Sequence, residues 1–178
     1  MLRRGLHACT LAAAAMLLNA SVAVAQTIPM EAFLTGAEET PAPGLNTGAF
    51  GYATVDVDLD DREVVVSLQV FNLPTGSTAG HIHVGAKGTP GPVILDFLFP
   101  AGRTGDLTLE LRLGQAQFRA RGDIGIATLD DAIQAIVGGN AYINIHTTQY
   151  PGGEIRGQIM RRDNRGQGPR QTEGQRQQ

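Results

Sequence analysis

The sequence predicts an all-β fold, a Greek-key antiparallel β-sandwich or barrel carrying one short helix. Three observations predict it. Apolar residues recur at every second position in most segments. Clusters of Gly, Pro, Asn and Asp separate those segments at short intervals. A single stretch changes to helical spacing. Alternation places one face of a strand in a core, and regular turn signals between short strands are the pattern of a sandwich or barrel.

In order, Ile28 to Leu34 reads as the first strand and Thr35 to Thr47 as a loop. Ala49 to Leu59 alternates, with Ala53, Val55, Val57 and Leu59 on one side and Thr54, Asp56 and Asp58 on the other. Asp60-Asp61-Arg62 is a tight turn, and Val64, Val66, Leu68 and Val70 continue the alternation beyond it. Two period-two runs about a polar turn make a β-hairpin. A loop from Asn72 to Ala79 leads into a strand containing His81 and His83, and Gly85 to Pro92 is a second loop. Val93 to Leu98 is a short apolar strand. Leu107, Leu109, Leu111 and Leu113 alternate in the next, and Gln115 to Arg121 is a weaker strand anchored by Phe118. Leu129, Ala132, Ile133, Ile136 and Val137 then fall at helical spacing, with Thr128 as N-cap, Asp130 and Asp131 in the first turn and Gly138-Gly139 as the stop. Ala141 to Thr147 and Glu154 to Met160 form a last hairpin about a turn at Gln149 to Gly153. The strands number about eight.

The organisation is simple. Arg3 and Arg4, the apolar run Leu11 to Leu18 and Ala23-Val24-Ala25 make residues 1–25 a secretory signal peptide. The apolar run is too short for a spanning helix, so no transmembrane segment is expected after cleavage. The mature chain contains no cysteine, so an exported domain is held by its core without disulfides. Residues 26–160 form one domain. Residues 161–178 are a tail of Arg, Gln and Gly without an aliphatic or aromatic side chain, and disorder is expected there. The domain carries 15 acidic and 7 basic residues, a net of −8, which argues against nucleic acid as a partner. The expected location is secreted or periplasmic.

The chemistry rests on histidine. His81 and His83 stand two apart on one strand, so they share a face, with Ile82 and Val84 on the other. Their Cβ atoms lie about 6–7 Å apart, close enough for two imidazoles to converge on one ion. His146, the only other histidine of the mature chain, lies on the strand Ala141 to Thr147. If the two strands are neighbours, three imidazoles meet outside the barrel, beneath the loops Leu73 to Ala79 and Gly85 to Pro92. Three imidazoles without thiolate or carboxylate suit copper or zinc with an open position. The competing reading is structural. In it the histidines and Asn144 on the outer face hydrogen-bond the loops that cross it, and Glu154 and Arg156, on the same face as His146, complete a polar network that fixes the hairpin and its register. No catalytic residue is assigned: the mature chain has no cysteine and no Gly-x-Ser-x-Gly elbow. Asp56, Asp58, Asp60 and Asp61 read as a solvated acidic turn, without EF-hand spacing.

Several of these segments together resemble the CHRD family, named from chordin. They are Phe33-Leu34-Thr35-Gly36-Ala37-Glu38-Glu39-Thr40-Pro41, Thr47-Gly48-Ala49-Phe50-Gly51, Ala79-Gly80-His81-Ile82-His83-Val84-Gly85-Ala86 with Gly91-Pro92-Val93, and Ala141 to Thr147 with Tyr150 to Gln158. The resemblance implies an immunoglobulin-like barrel, a limited likeness to Cu/Zn superoxide dismutases and no agreed activity. The dismutases carry a His-x-His and a later histidine on copper, and His81, His83 and His146 match that arrangement. The histidine bridging copper and zinc, the zinc cluster and the disulfide of those enzymes have no counterpart here, so full dismutase chemistry is not expected. Two functional expectations follow. One is a secreted module that binds an extracellular or envelope partner, and the other is a copper or zinc protein using His81, His83 and His146.

Overall fold

A computed structural model describes residues 26–162. The expected signal peptide and the tail from residue 163 onward lie outside the described residues. Nine strands and one helix follow in order: β1 (Thr27–Thr35), β2 (Phe50–Asp58), β3 (Glu63–Leu73), β4 (Ser77–Val84), β5 (Val93–Asp96), β6 (Gly105–Leu113), α1 (Leu129–Val137), β7 (Ala141–Thr147), β8 (Ile155–Gln158) and β9 (Met160–Arg161). The chain is an antiparallel, nearly closed barrel with the order β5-β4-β7-β8-β1-β2-β3-β6, and β9 adds to β1. The neighbours β3–β6 and β4–β7 are far apart in sequence, as Greek-key crossovers require.

The alternation read in the sequence faces the barrel interior. Ala53, Val55 and Val57 of β2, Val64, Val66, Leu68 and Val70 of β3, and Ile143 and Ile145 of β7 are all fully buried. The core is aliphatic, so its stability comes from many branched side chains rather than a few large rings. Helix α1 starts as predicted. Asp131 N–H donates to Thr128 Oγ1 at 3.2 Å, and Thr128 N–H donates to Asp131 Oδ2 at 2.8 Å, a capping box. Leu129, Ala132, Ile133 and Ile136 are its buried face.

Three boundaries differ from the sequence reading. Gln115 to Arg121 is not a strand: Gly114 begins a turn closed by Gln117 N–H to Gly114 O, and the segment makes only isolated bridges, Phe118 to Leu95 and Arg121 to Ile126. The segment has one large apolar side chain to bury, too little to hold an extended run in the sheet, and it lies against β5 at the gap between β5 and β6. Strand β4 begins at Ser77, earlier than expected, because Ser77 Oγ ties the loops at Pro100 and Arg103. Arg161 and Arg162, read as tail, continue along β1, where Arg162 N–H donates to Pro29 O.

Candidate metal centre

The strand pairing decides which side chains meet. In the β4–β7 ladder His81 is opposite Asn144, His83 opposite Tyr142 and Ala79 opposite His146. His146 is therefore the diagonal neighbour of His81, within reach of a ring across the pair. The ring centroids are 4.9 Å apart for His81–His146, 5.5 Å for His81–His83 and 6.0 Å for His83–His146. One nitrogen from each ring lies within 4.8 Å of the others. A bulge in the β4–β5 pairing, between Ile82 and His83, lies alongside. Bulges of this kind re-aim side chains next to sites.

The hydrogen bonds assign the ring nitrogens. His83 Nδ1 donates to Gly91 O at 2.8 Å, and His146 Nδ1 donates to Pro151 O at 3.0 Å. A carbonyl oxygen is only an acceptor, so each Nδ1 carries the proton and each Nε2 keeps a lone pair. His83 Nε2 is buried and has no hydrogen-bond partner, while His146 Nε2 faces His81 Nδ1 at 3.1 Å. Burial lowers the pKa of all three imidazoles: that of His83 falls to about 4, and neighbouring imidazole charge adds to the effect at His81 and His83. All three are neutral near pH 7, the form that binds metal.

The three nitrogens fit one ion after a small closure. With metal–nitrogen bonds near 2.0–2.1 Å, two ligands of one ion are at most about 4.2 Å apart. The widest separation must therefore shrink by roughly half an ångström, a small ring rotation. The His81–His146 pair, at 3.1 Å, would subtend about 100° at such an ion. That lies between the right angle of tetragonal copper and the tetrahedral angle of zinc.

Residues 30–159 match the family model of the CHRD domain. The chain belongs to the CHRD family. No curated protein and no solved structure gives a significant match. The matched span of this CHRD domain contains β1 to β8 nearly whole, and with them all three histidines.

The loops over the CHRD site differ in part from expectation. Gly85 to Pro92 covers His83, as predicted. The β7–β8 turn is a further cover, whose Pro151 carbonyl holds His146; Leu73 to Ala79 lies beside that turn, with Thr148 N–H donating to Gly76 O and Gln149 N–H to Thr75 Oγ1. Ser77 to Ala79 of that segment belong to strand β4. The polar network expected among Asn144, Glu154 and Arg156 divides in two. Glu154, fully buried, accepts from Thr47 and Thr147 hydroxyls at 2.6 Å each and makes no ion pair with Arg156. Arg156 donates to Ala86 O and Thr89 O and lies 3.5 Å over the Tyr142 ring. It thus holds the Gly85 to Pro92 loop down onto the sheet.

Asn144 lies between His81 and Arg156 in register, and its Oδ1 has no partner.

Sequence reasoning did not assign roles to four residues of this site. Tyr142 stacks on His83 with centroids 4.9 Å apart and bonds both N–H and C=O of Gly91 through its hydroxyl. Gly91 supplies the carbonyl that orients His83. Asp96, opposite His81 on β5, stands 3.7 Å from its Nε2. Glu39 is buried in what read as a loop, and desolvation raises its carboxyl to about 7 despite the opposing field of Arg156. The alternation of β7 places Tyr142 on the histidine face. No local pattern points to the other three, since each acts from a loop or a different strand.

Among the described residues, no helix is long and apolar enough to cross a membrane.

Proposed function

We propose that this CHRD domain is an exported module that holds one copper or zinc ion on His81, His83 and His146. The observation that carries the reading is the buried lone pair of His83 Nε2, which no protein atom satisfies, in a cluster where His146 Nε2 also presents a lone pair, toward His81 Nδ1. An unsatisfied buried acceptor costs about 1–3 kcal/mol, and a cation among the three nitrogens removes that cost. The donor set of three neutral imidazoles suits copper or zinc, and such an ion, when bound, supplies an open coordination position for an exogenous ligand. Export rests on the N-terminal pattern of residues 1–25 and on the family, whose domains are typically extracellular. Protein purified without a His tag and reconstituted with Zn(II) or Cu(II) is expected to hold about one equivalent, and His83→Ala to hold much less. A wild-type protein that retains neither ion rejects the assignment.

The module reading, in which the domain engages an extracellular or envelope partner, draws support from a different surface. Phe33, Phe50, Tyr52 and Phe71 lie together on the outer face of β1 to β3, in stacked and tilted ring pairs, with Phe33 and Phe50 exposed. Contiguous exposed aromatic surface is uncommon on a monomer. Co-sedimentation with native envelope fragments is expected to fall in a Phe33→Ser/Phe50→Ser variant with unchanged metal content. Equal sedimentation of the two proteins speaks against that surface.

A further inference from the structure

The Asp96–Arg119 pair lies beyond the three imidazoles and resolves a conflict inside them. His146 Nε2 is an acceptor, because its Nδ1–H is committed to Pro151 O. His81 presents Nδ1 to that acceptor at 3.1 Å and Nε2 to the Asp96 carboxylate at 3.7 Å. A neutral imidazole has one N–H. If the proton is on Nδ1, the Nε2 lone pair faces a carboxylate. If it is on Nε2, two nitrogen lone pairs face each other at 3.1 Å. A cation between His81 Nδ1 and His146 Nε2 removes the second conflict and leaves Nε2–H for Asp96.

The carboxylate is held for that role. Both Arg119 Nε and Arg119 Nη2 bond Asp96 Oδ2, so Oδ1 remains for His81. Asp96 is fixed along the backbone as well: its N–H donates to Gln117 O, and Arg119 N–H donates to Ile94 O. The segment 117–119 that failed to become a strand thus brings Arg119 to the edge of β5. Asp96 lies on the Nε2 side of the ring and His146 on the Nδ1 side, so the carboxylate is placed behind the ligand and not within the ligand set.

We propose that Asp96, braced by Arg119, is the positioning residue of the metal centre: it accepts His81 Nε2–H and thereby directs His81 to bind through Nδ1, while His83 and His146 bind through Nε2. The centre then has mixed ligation, with each non-ligating N–H fixed by an oxygen: Asp96 Oδ1, Gly91 O and Pro151 O. Carboxylates and carbonyls behind metal-bound histidines set ring orientation and tautomer, and losing one typically costs 10–100-fold in affinity. Closing the 3.7 Å gap to hydrogen-bond distance requires the same kind of small ring rotation that brings the three nitrogens together.

This inference rests on the metal reading above, and its test separates the two. Full-length mature protein, labelled with 15N-histidine, is titrated with Zn(II), and long-range 1H–15N spectra report which nitrogen of each ring is protonated. The expected spectrum shows Nε2–H for His81 and Nδ1–H for His83 and His146. Zinc affinity by calorimetry is expected to fall 10–100-fold in Asp96→Asn, with the fold retained by circular dichroism, and more modestly in Arg119→Gln. In Asp96→Asn the His81 N–H signal is expected to shift or exchange, while those of His83 and His146 do not move. Zinc bound with His81 through Nε2, or unchanged affinity in Asp96→Asn, overturns the role of Asp96 and leaves the metal centre standing. No zinc binding by wild type overturns both.

Discussion

Gly91→Ala is the most informative single substitution. Gly91 lies under the β4 end, and a Cβ added there would stand 1.6 Å from Val84 O, where contacts under 3.0 Å are essentially never seen. The neighbouring atom is backbone in a paired strand, so the loop must move by about 1.4 Å. The Gly91-Pro92 end of that loop carries four hydrogen bonds next to the site: His83 Nδ1–H to Gly91 O, Gly91 N–H to Tyr142 Oη, Tyr142 Oη–H to Gly91 O, and Val84 N–H to Pro92 O. At about 1 kcal/mol net for each, losing two to four of them destabilises the metal-free domain by roughly 2–4 kcal/mol. Such a loss lowers Tm by on the order of 10 °C for a domain of this size. His83 also loses the carbonyl that fixes its tautomer, so zinc affinity is expected to fall by roughly 10–100-fold. Urea unfolding followed by circular dichroism reads the first effect, and calorimetric zinc titration reads the second. A variant within about 0.5 kcal/mol of wild type in the metal-free state, which is the usual range for an innocuous surface change, would falsify the packing argument.

Acidification should destabilise the metal-free domain. His81, His83 and His146 have lowered pKa values in the fold, so from 6.5 down to about 4 for His83 the unfolded chain binds more protons and stability falls with pH; urea midpoints across that window read it, and a flat profile contradicts the burial of the imidazoles. Glu39 has the opposite sign. Its carboxyl is raised to about 7, so the stability it contributes is present below its ordinary value of 4.5 and is lost as pH rises through 7. Glu39→Gln is therefore expected to gain stability over wild type on going from pH 5 to pH 8, measured by the same midpoints, and an equal difference at both pH values counts against the buried carboxyl. Thr128→Ala removes the N-cap of α1 and half of its capping box, at an expected cost of about 1 kcal/mol by thermal unfolding; no change would mean that packing of Leu129 and Ile133 alone holds the helix start.

What the sequence determined by itself is local. Period-two alternation assigns the faces of β2, β3, β6 and β7, and it places His81 and His83 on the side opposite Ile82. Thr128, Asp131 and the Gly138-Gly139 pair delimit α1, because capping acts within one turn. His-x-His is legible for the same reason: two ligands on one strand need no other element. The segment Gln115 to Arg121 shows where this reading ends, since its weak alternation carries too little apolar surface to decide between strand and irregular chain.

What only the tertiary structure decided is who stands behind each histidine. His146 meets His81 through a ladder that joins residues 65 apart. Gly91 O and Pro151 O select the tautomers of His83 and His146 from two different loops. Asp96 comes to His81 from an edge strand that reads as merely apolar, and Arg119 follows it from a segment that fails as a strand. Glu39, an ordinary acidic loop residue in the sequence, becomes a buried carboxyl. The physical reason is common to all six. Alternation says which way a side chain points, but hydrogen-bond partners and burial depend on register, bulges and crossover loops. Those are set by long-range packing of the whole barrel.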